Sequence, residues 1–120
     1  MGGESPEASW ESCVAALADM KTVPAAIAGA ELLEASRARW ETSVVARTSM
    51  HDLLFTNVGD EYPFPHHVHV SWRDGVYEFR LYRPGDDKRG PVLVAADRCW
   101  SAKAVTVLNA FLSQLEATQR

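Results

Sequence analysis

From residue 66 to residue 83, in "HHVHVSWRDGVYEFRLYR", apolar and polar side chains alternate on both sides of the dipeptide Asp74-Gly75. Asp-Gly suits the two-residue type I′ turn, whose central positions both need positive φ. A hairpin about this turn sets Arg73 opposite Val76, and the rest of the register follows. Trp72 then faces Tyr77, Val70 faces Phe79 and Val68 faces Leu81, all apolar or aromatic and all on one side. The other side carries Ser71 opposite Glu78, His69 opposite Arg80 and His67 opposite Tyr82. The alternation predicts a ribbon with a core face and a polar face.

Helical spacing marks the flanks. In "SPEASWESCVAALADM" the pair Ser5-Pro6 supplies a cap and a first-turn residue, and Glu7 suits the positive end of a helix. Trp10, Cys13, Val14 and Leu17 then form one apolar stripe. Thr22 and Pro24 signal a second start, after which Ala26, Ala30, Leu33, Trp40 and Val44 recur in a three-four rhythm broken by Arg37. This helix is expected to run to about Arg47. The β-branched stretch "ETSVVARTS" also alternates as a strand, with Trp40, Thr42, Val44 and Ala46 on one side, and "MHDLLFTN" is too short to assign by periodicity.

"NVGDEYPFP" is turn-rich, and Pro63 and Pro65 force an extended approach to the hairpin, each aromatic-Pro bond being open to the cis form. After the hairpin, "VLVAA" reads as a third strand with apolar residues on both sides. Ser101 is placed to cap a last helix, on which Val105, Leu108, Phe111, Leu112 and Leu115 share a face. The expected fold is α+β: two N-terminal helices, a small antiparallel sheet of about three strands built on the 66–83 hairpin, and a C-terminal helix packed on one sheet face. A single domain over residues 1–120 is expected, with residues 1–5 disordered.

Composition agrees with a folded domain. Of 120 residues, 47% are hydrophobic and 23% charged, which is far from the regime of disorder. A chain of this size buries about two-thirds of its unfolded surface around one core. No apolar run reaches the roughly 20 residues of a membrane-spanning helix, and the acidic start "MGGESPEASW" lacks the regions of a secretory signal, so a cytoplasmic location is expected. Cys13 and Cys99 show no metal-binding spacing and read as buried thiols. Arginine outnumbers lysine nine to three and alanine is abundant, in keeping with a GC-rich bacterial genome.

Charge is uneven. Residues 1–60 hold nine acids and four bases, a net of −5, and residues 61–120 hold seven acids and eight bases, a net of +1. Such a chain lacks the clustered cations that displace counterions from phosphates, so nucleic acid is an unfavourable partner despite Tyr82, Arg73, Arg80 and Arg83 on or beside the ribbon.

Chemistry centres on the histidines. His67 and His69 lie at i, i+2 on a strand and point the same way, as two metal ligands would, with His51, Asp52 or Glu61 available to complete a site. Against this, Arg80 opposite His69 holds a fixed positive charge about 5 Å away between Cβ atoms. No metal and no cofactor is therefore assigned. Histidine, carboxylate and tyrosine on one face are ingredients of acid-base chemistry, but no nucleophile is placed against them and no catalytic residue is assigned.

Gly85 and Gly90 of "GDDKRGP" are spaced like phosphate-loop glycines, but Pro91 occupies the lysine position and two aspartates would repel phosphate, which leaves a polar hairpin loop. Of the four tryptophans, three are expected in the core, with Trp100 available for a staple contact before the last helix. What remains is the polar face: His67, His69, Arg80 and Tyr82, with Arg73 and Glu78 at its ends. Arg and Tyr are favoured at interfaces, and an open sheet edge invites another chain. The expected function is a non-enzymatic accessory or adaptor domain, immunity-like, chaperone-like or regulatory, acting through a protein partner or as a homodimer. The competing expectation is a small-ligand or metal-binding protein, hydrolytic in one form, built on the histidines of the 66–69 strand.

Overall fold

The structure, a computed structural model, describes residues 5–86 and 90–119. It comprises helices α1 (Pro6–Ala18), α2 (Pro24–Trp40) and α3 (Ser101–Ala117), and strands β1 (Val44–Ser49), β2 (Asp52–Asn57), β3 (His67–Arg73), β4 (Val76–Arg83) and β5 (Val92–Trp100). The strands form one antiparallel meander in chain order, and all three helices pack on the same face. The architecture is the expected α+β arrangement, with five strands in place of about three.

The local signals explain most of these elements. Ser5 Oγ accepts the Ala8 amide at 3.2 Å and Pro6 opens α1 where its missing N–H costs nothing. Ser5 is thus an ordered cap; the remainder of the segment expected to be disordered, residues 1–4, lies outside the described residues. Trp10, Cys13 and Leu17 are buried as one stripe. Pro24 opens α2, but its cap position is Val23, which has no side-chain acceptor, and Thr22 falls one residue too early.

α2 ends at Trp40, not near Arg47. Beyond a turn at 41–43 the β-branched run continues as β1, whose extended backbone accommodates branched side chains that would crowd the preceding turn of a helix. β1 pairs with β2 through a two-residue turn at Met50-His51, with Met50 at φ +58°. β2 in turn pairs with β3, setting Leu54 beside His69 and Thr56 beside His67.

The hairpin has the register read from its alternation, from Arg73↔Val76 out to His67↔Tyr82. Asp74 (φ +52°) and Gly75 (φ +87°) both occupy the left-handed region that a type I′ turn requires. A Cβ at Gly75 would also lie 3.0 Å from the Trp100 ring, so glycine is favoured there twice over. Val68, Val70, Tyr77, Phe79 and Leu81 are buried, and Trp72 is half-buried against the core.

β5 pairs with β4 along its whole length but contains a bulge: Leu81 faces Ala95 while Tyr82 faces Leu93, leaving Val94 as the extra residue. It runs directly into α3, so Trp100 itself is the cap position and Ser101 is the first helical residue, not the cap. With no loop between strand and helix, there is no room for a separate capping residue.

Aromatic contacts tie the layers together. Trp10 packs against Phe55 and Phe111 against Phe79, with ring centroids 5.4 and 5.7 Å apart. The Trp40 indole donates to Asn109 Oδ1 (2.7 Å), joining α2 to α3, and Tyr77 donates its hydroxyl to the Ala28 carbonyl (2.8 Å), joining β4 to α2. Burial pushes the Tyr77 phenol up to about 12, so it stays a donor across the physiological range. Leu108, Phe111, Leu112 and Leu115 are buried as anticipated, and Val105 is partly so.

Candidate interaction surface

The helix-free face of the sheet holds the four residues singled out from the sequence. His67, His69, Arg80 and Tyr82 lie side by side on β3 and β4, away from the aromatic core, as two adjacent cross-strand pairs. His67 stacks on Tyr82 with ring centroids 4.6 Å apart and planes 19° from parallel. His67 Nδ1 lies 2.8 Å from the Phe64 carbonyl, and because a carbonyl can only accept, Nδ1 carries the hydrogen. Burial lowers the His67 pKa, partly opposed by this bond and assisted by neighbouring His69.

His69 turns toward β2, donating from Nε2 to Asp52 Oδ2 at 2.9 Å. Arg80 turns toward Glu78, which it approaches at 3.5 Å. Cross-strand neighbours thus point apart, each toward a carboxylate. Among the described residues no group of three or more His, Cys, Asp or Glu side chains converges. His51 and Glu61 therefore do not join His69 and Asp52 in a ligand set, and Cys99 is half-buried with its thiol pushed up by burial, which makes it a poor nucleophile.

The connection between β2 and β3 covers one corner of this face. Phe64 lies beneath the Arg47 guanidinium, 4.4 Å from its ring centroid, and Arg47 Nε donates to the fully buried Thr56 at 3.3 Å. Tyr62-Pro63 within this connection is cis. Here the polar face is closed. Toward β5 it is open, and Glu78 there lies between two guanidiniums, Arg80 at 3.5 Å and Arg98 at 3.3 Å.

The sequence did not reveal the character of β5. Val92, Leu93 and Val94 are 37%, 49% and 48% exposed, and Trp100 is 67% exposed. Trp10 and Trp40 are buried and Trp72 packs on the core, so three tryptophans are structural as expected. Trp100 is the exception: it is the cap residue of α3, it is exposed, and its ring lies over Gly75. A depression of about 530 Å³ lies at this end of the ribbon, bordered by Arg73, Glu78, Arg98 and Trp100. Of the glycine-spaced loop singled out above, residues 87–89 lie outside the described residues; Gly85 and Gly90 are described, and a Cβ at Gly85 would clash with the Gly90 carbonyl oxygen.

The two sheet borders differ in their unpaired backbone groups. On β1 the Val44 carbonyl accepts the Trp10 indole N–H at 2.8 Å and the Ala46 amide donates to Ser9 Oγ at 2.9 Å, both buried. On β5 the Arg98 amide donates to Asp97 Oδ1 at 2.8 Å. This is a bond within the strand, not one to a helix.

Comparison with known proteins yields no matching family model, no similar curated protein and no similar solved structure. No helix among the described residues is long and apolar enough to cross a membrane.

Proposed function

We propose that this protein is a small cytoplasmic accessory domain that works by contacting another protein, with the β5 border and the adjoining polar face as its contact surface. The observation that carries the reading is the asymmetry of the sheet: α1 side chains seal β1, whereas β5 exposes Val92, Leu93, Val94 and Trp100 beside unpaired strand backbone. Apolar residues grouped along an open edge are a liability unless something covers them. Arg80 and Tyr82 on β4 lie next to that edge, with His69 and His67 one strand further in, and arginine and tyrosine contribute well to recognition.

A photoreactive residue placed at Leu93 in the native host tests this directly. Adducts with a protein are expected at Leu93 and not at Val58, which is similarly exposed but lies on the β2–β3 connection. Equal yields at both positions, or none at Leu93, would remove the reading.

The histidine-based alternative draws its support from the Asp52–His69 hydrogen bond, an arrangement that orients an imidazole. Stoichiometric zinc in untagged protein, lost on His69→Ala, would favour it over a contact surface.

A further inference from the structure

Resting on that reading, we infer that the β5 border takes an extended acidic segment of a different protein, which adds as a sixth strand and sets carboxylates against Arg98 and Arg80. The charge arrangement specifies the acidity. Glu78 is a single carboxylate shared by two guanidiniums, so the pair retains unmatched donors and positive charge. Ala96 lies between Arg80 and the border, across from Arg80 on β5, and its small side chain leaves the Arg80 guanidinium accessible from the edge. Arg98 is itself on the border strand and largely exposed. An added strand places alternate side chains on the same face as Arg98, where glutamates would meet both arginines. At the end of the strand, Trp100 offers an apolar plate beside the 530 Å³ depression.

A second copy of this chain fits the border poorly. Two antiparallel edges related by a two-fold axis pair residues of equal parity, with one residue facing itself. The bulge at Val94 confines regular pairing to residues 95–100, and within that segment the two longest registers centre on Asp97 or on Arg98. Each sets like charges directly opposite one another. Single-stranded nucleic acid would also find arginines and an exposed tryptophan here, but its sugar-phosphate backbone has no alternating N–H and C=O groups to pair with a strand edge, as an extended peptide has.

The test is a titration of the isotopically labelled full chain, followed by amide NMR, with three probes. These are a capped nonapeptide alternating valine and glutamate, its lysine counterpart, and a mixed-sequence single-stranded oligonucleotide. The glutamate peptide is expected to shift the amides of residues 95–100 and the Trp100 indole, and Arg98→Glu is expected to weaken its binding at least tenfold while admitting the lysine peptide. Arg80→Gln, a milder change, should weaken it several-fold. Preference for the lysine peptide or for the oligonucleotide at β5, or no perturbation of β5 by the glutamate peptide at millimolar concentration, would overturn the inference. Cross-linking at Leu93 reports separately on whether any protein is contacted, so loss of the acidic preference and loss of the contact surface are distinguishable.

Discussion

β1 and β5 are each paired on one side only, and the chain treats these two borders in opposite ways. At β1 the outward backbone groups of Val44 and Ala46 are taken up by Trp10 and Ser9, two side chains of a helix that sits against the strand. Val44, Val45 and Ala46 are all buried as a result. At β5 the equivalent function is left to an Asp97 carboxylate bonded to the next residue and to the bulge at Val94. One border has become interior, and the other has only local devices that discourage indiscriminate pairing. The contrast is what supports the proposed contact surface: Val92, Leu93, Val94 and Trp100 are exposed on β5, whereas Val44, Val45 and Ala46 are buried on β1.

The largest test of this contrast is at Trp10. Its indole is fully buried and also holds the Val44 carbonyl, so Trp10→Ala should cost about 3–5 kcal/mol in denaturant unfolding. Trp10→Phe keeps most of the ring but not the donor, and should additionally speed hydrogen exchange of β1 amides relative to β3 amides. Unchanged β1 protection in Trp10→Phe would mean that the seal is packing alone.

Next in size is Ser9→Ala, which strands the buried Ala46 amide at a cost of about 1–3 kcal/mol. Chemical denaturation measures the loss.

A third test separates the polar face from both borders. His67 has a lowered pKa in the fold and an ordinary one of about 6.5 when unfolded. The unfolded chain therefore binds the proton more readily, and His67 disfavours folding increasingly as pH drops below about 6.5, with no penalty above it. The melting temperature should fall on acidification, and His67→Phe should reduce that slope while keeping the stack on Tyr82. An unaltered slope would show that other groups set the pH response.

The smallest change in stability belongs to Asp97→Ala, within about 0.5 kcal/mol as for an ordinary surface position. Its effect should instead be on association: removal of the carboxylate frees the Arg98 amide and eliminates the Asp97–Asp97 clash that opposes self-pairing. Concentration-dependent dimerisation by light scattering is expected. A variant that stays monomeric would shift the protective role to the bulge.

What the sequence made legible follows the range over which each signal acts. The β3–β4 register was readable because Asp74-Gly75 has its own turn chemistry and the alternation on either side leaves one solution. The β1–β2 hairpin was not, because its turn is Met50-His51, and Met50 adopts a left-handed conformation that glycine or asparagine would have announced. β1 also lacks alternation: it is covered by α1 on one side and by the Arg47–Phe64 contact on the other, so Val44, Val45 and Ala46 are buried in succession. For the candidate surface, periodicity placed His67, His69, Arg80 and Tyr82 on one face, while their partners came from elsewhere in the chain. Asp52 reaches His69 from β2 and Phe64 reaches His67 from the connection, and both depend on tertiary placement that no local pattern encodes. Exposure of Trp100 was equally hidden, since it depends on β5 being the last strand with nothing beyond it.

The irregularity at Val94 has a consequence for stoichiometry. A sheet that has closed one side with its own helix and interrupted the other can admit one guest strand but offers that guest no identical continuation. Growth of this chain by repeated addition, the route by which exposed β-structure becomes a fibre, would need two open edges, and α1 leaves only one, so the proposed complexes should have a small, fixed number of chains.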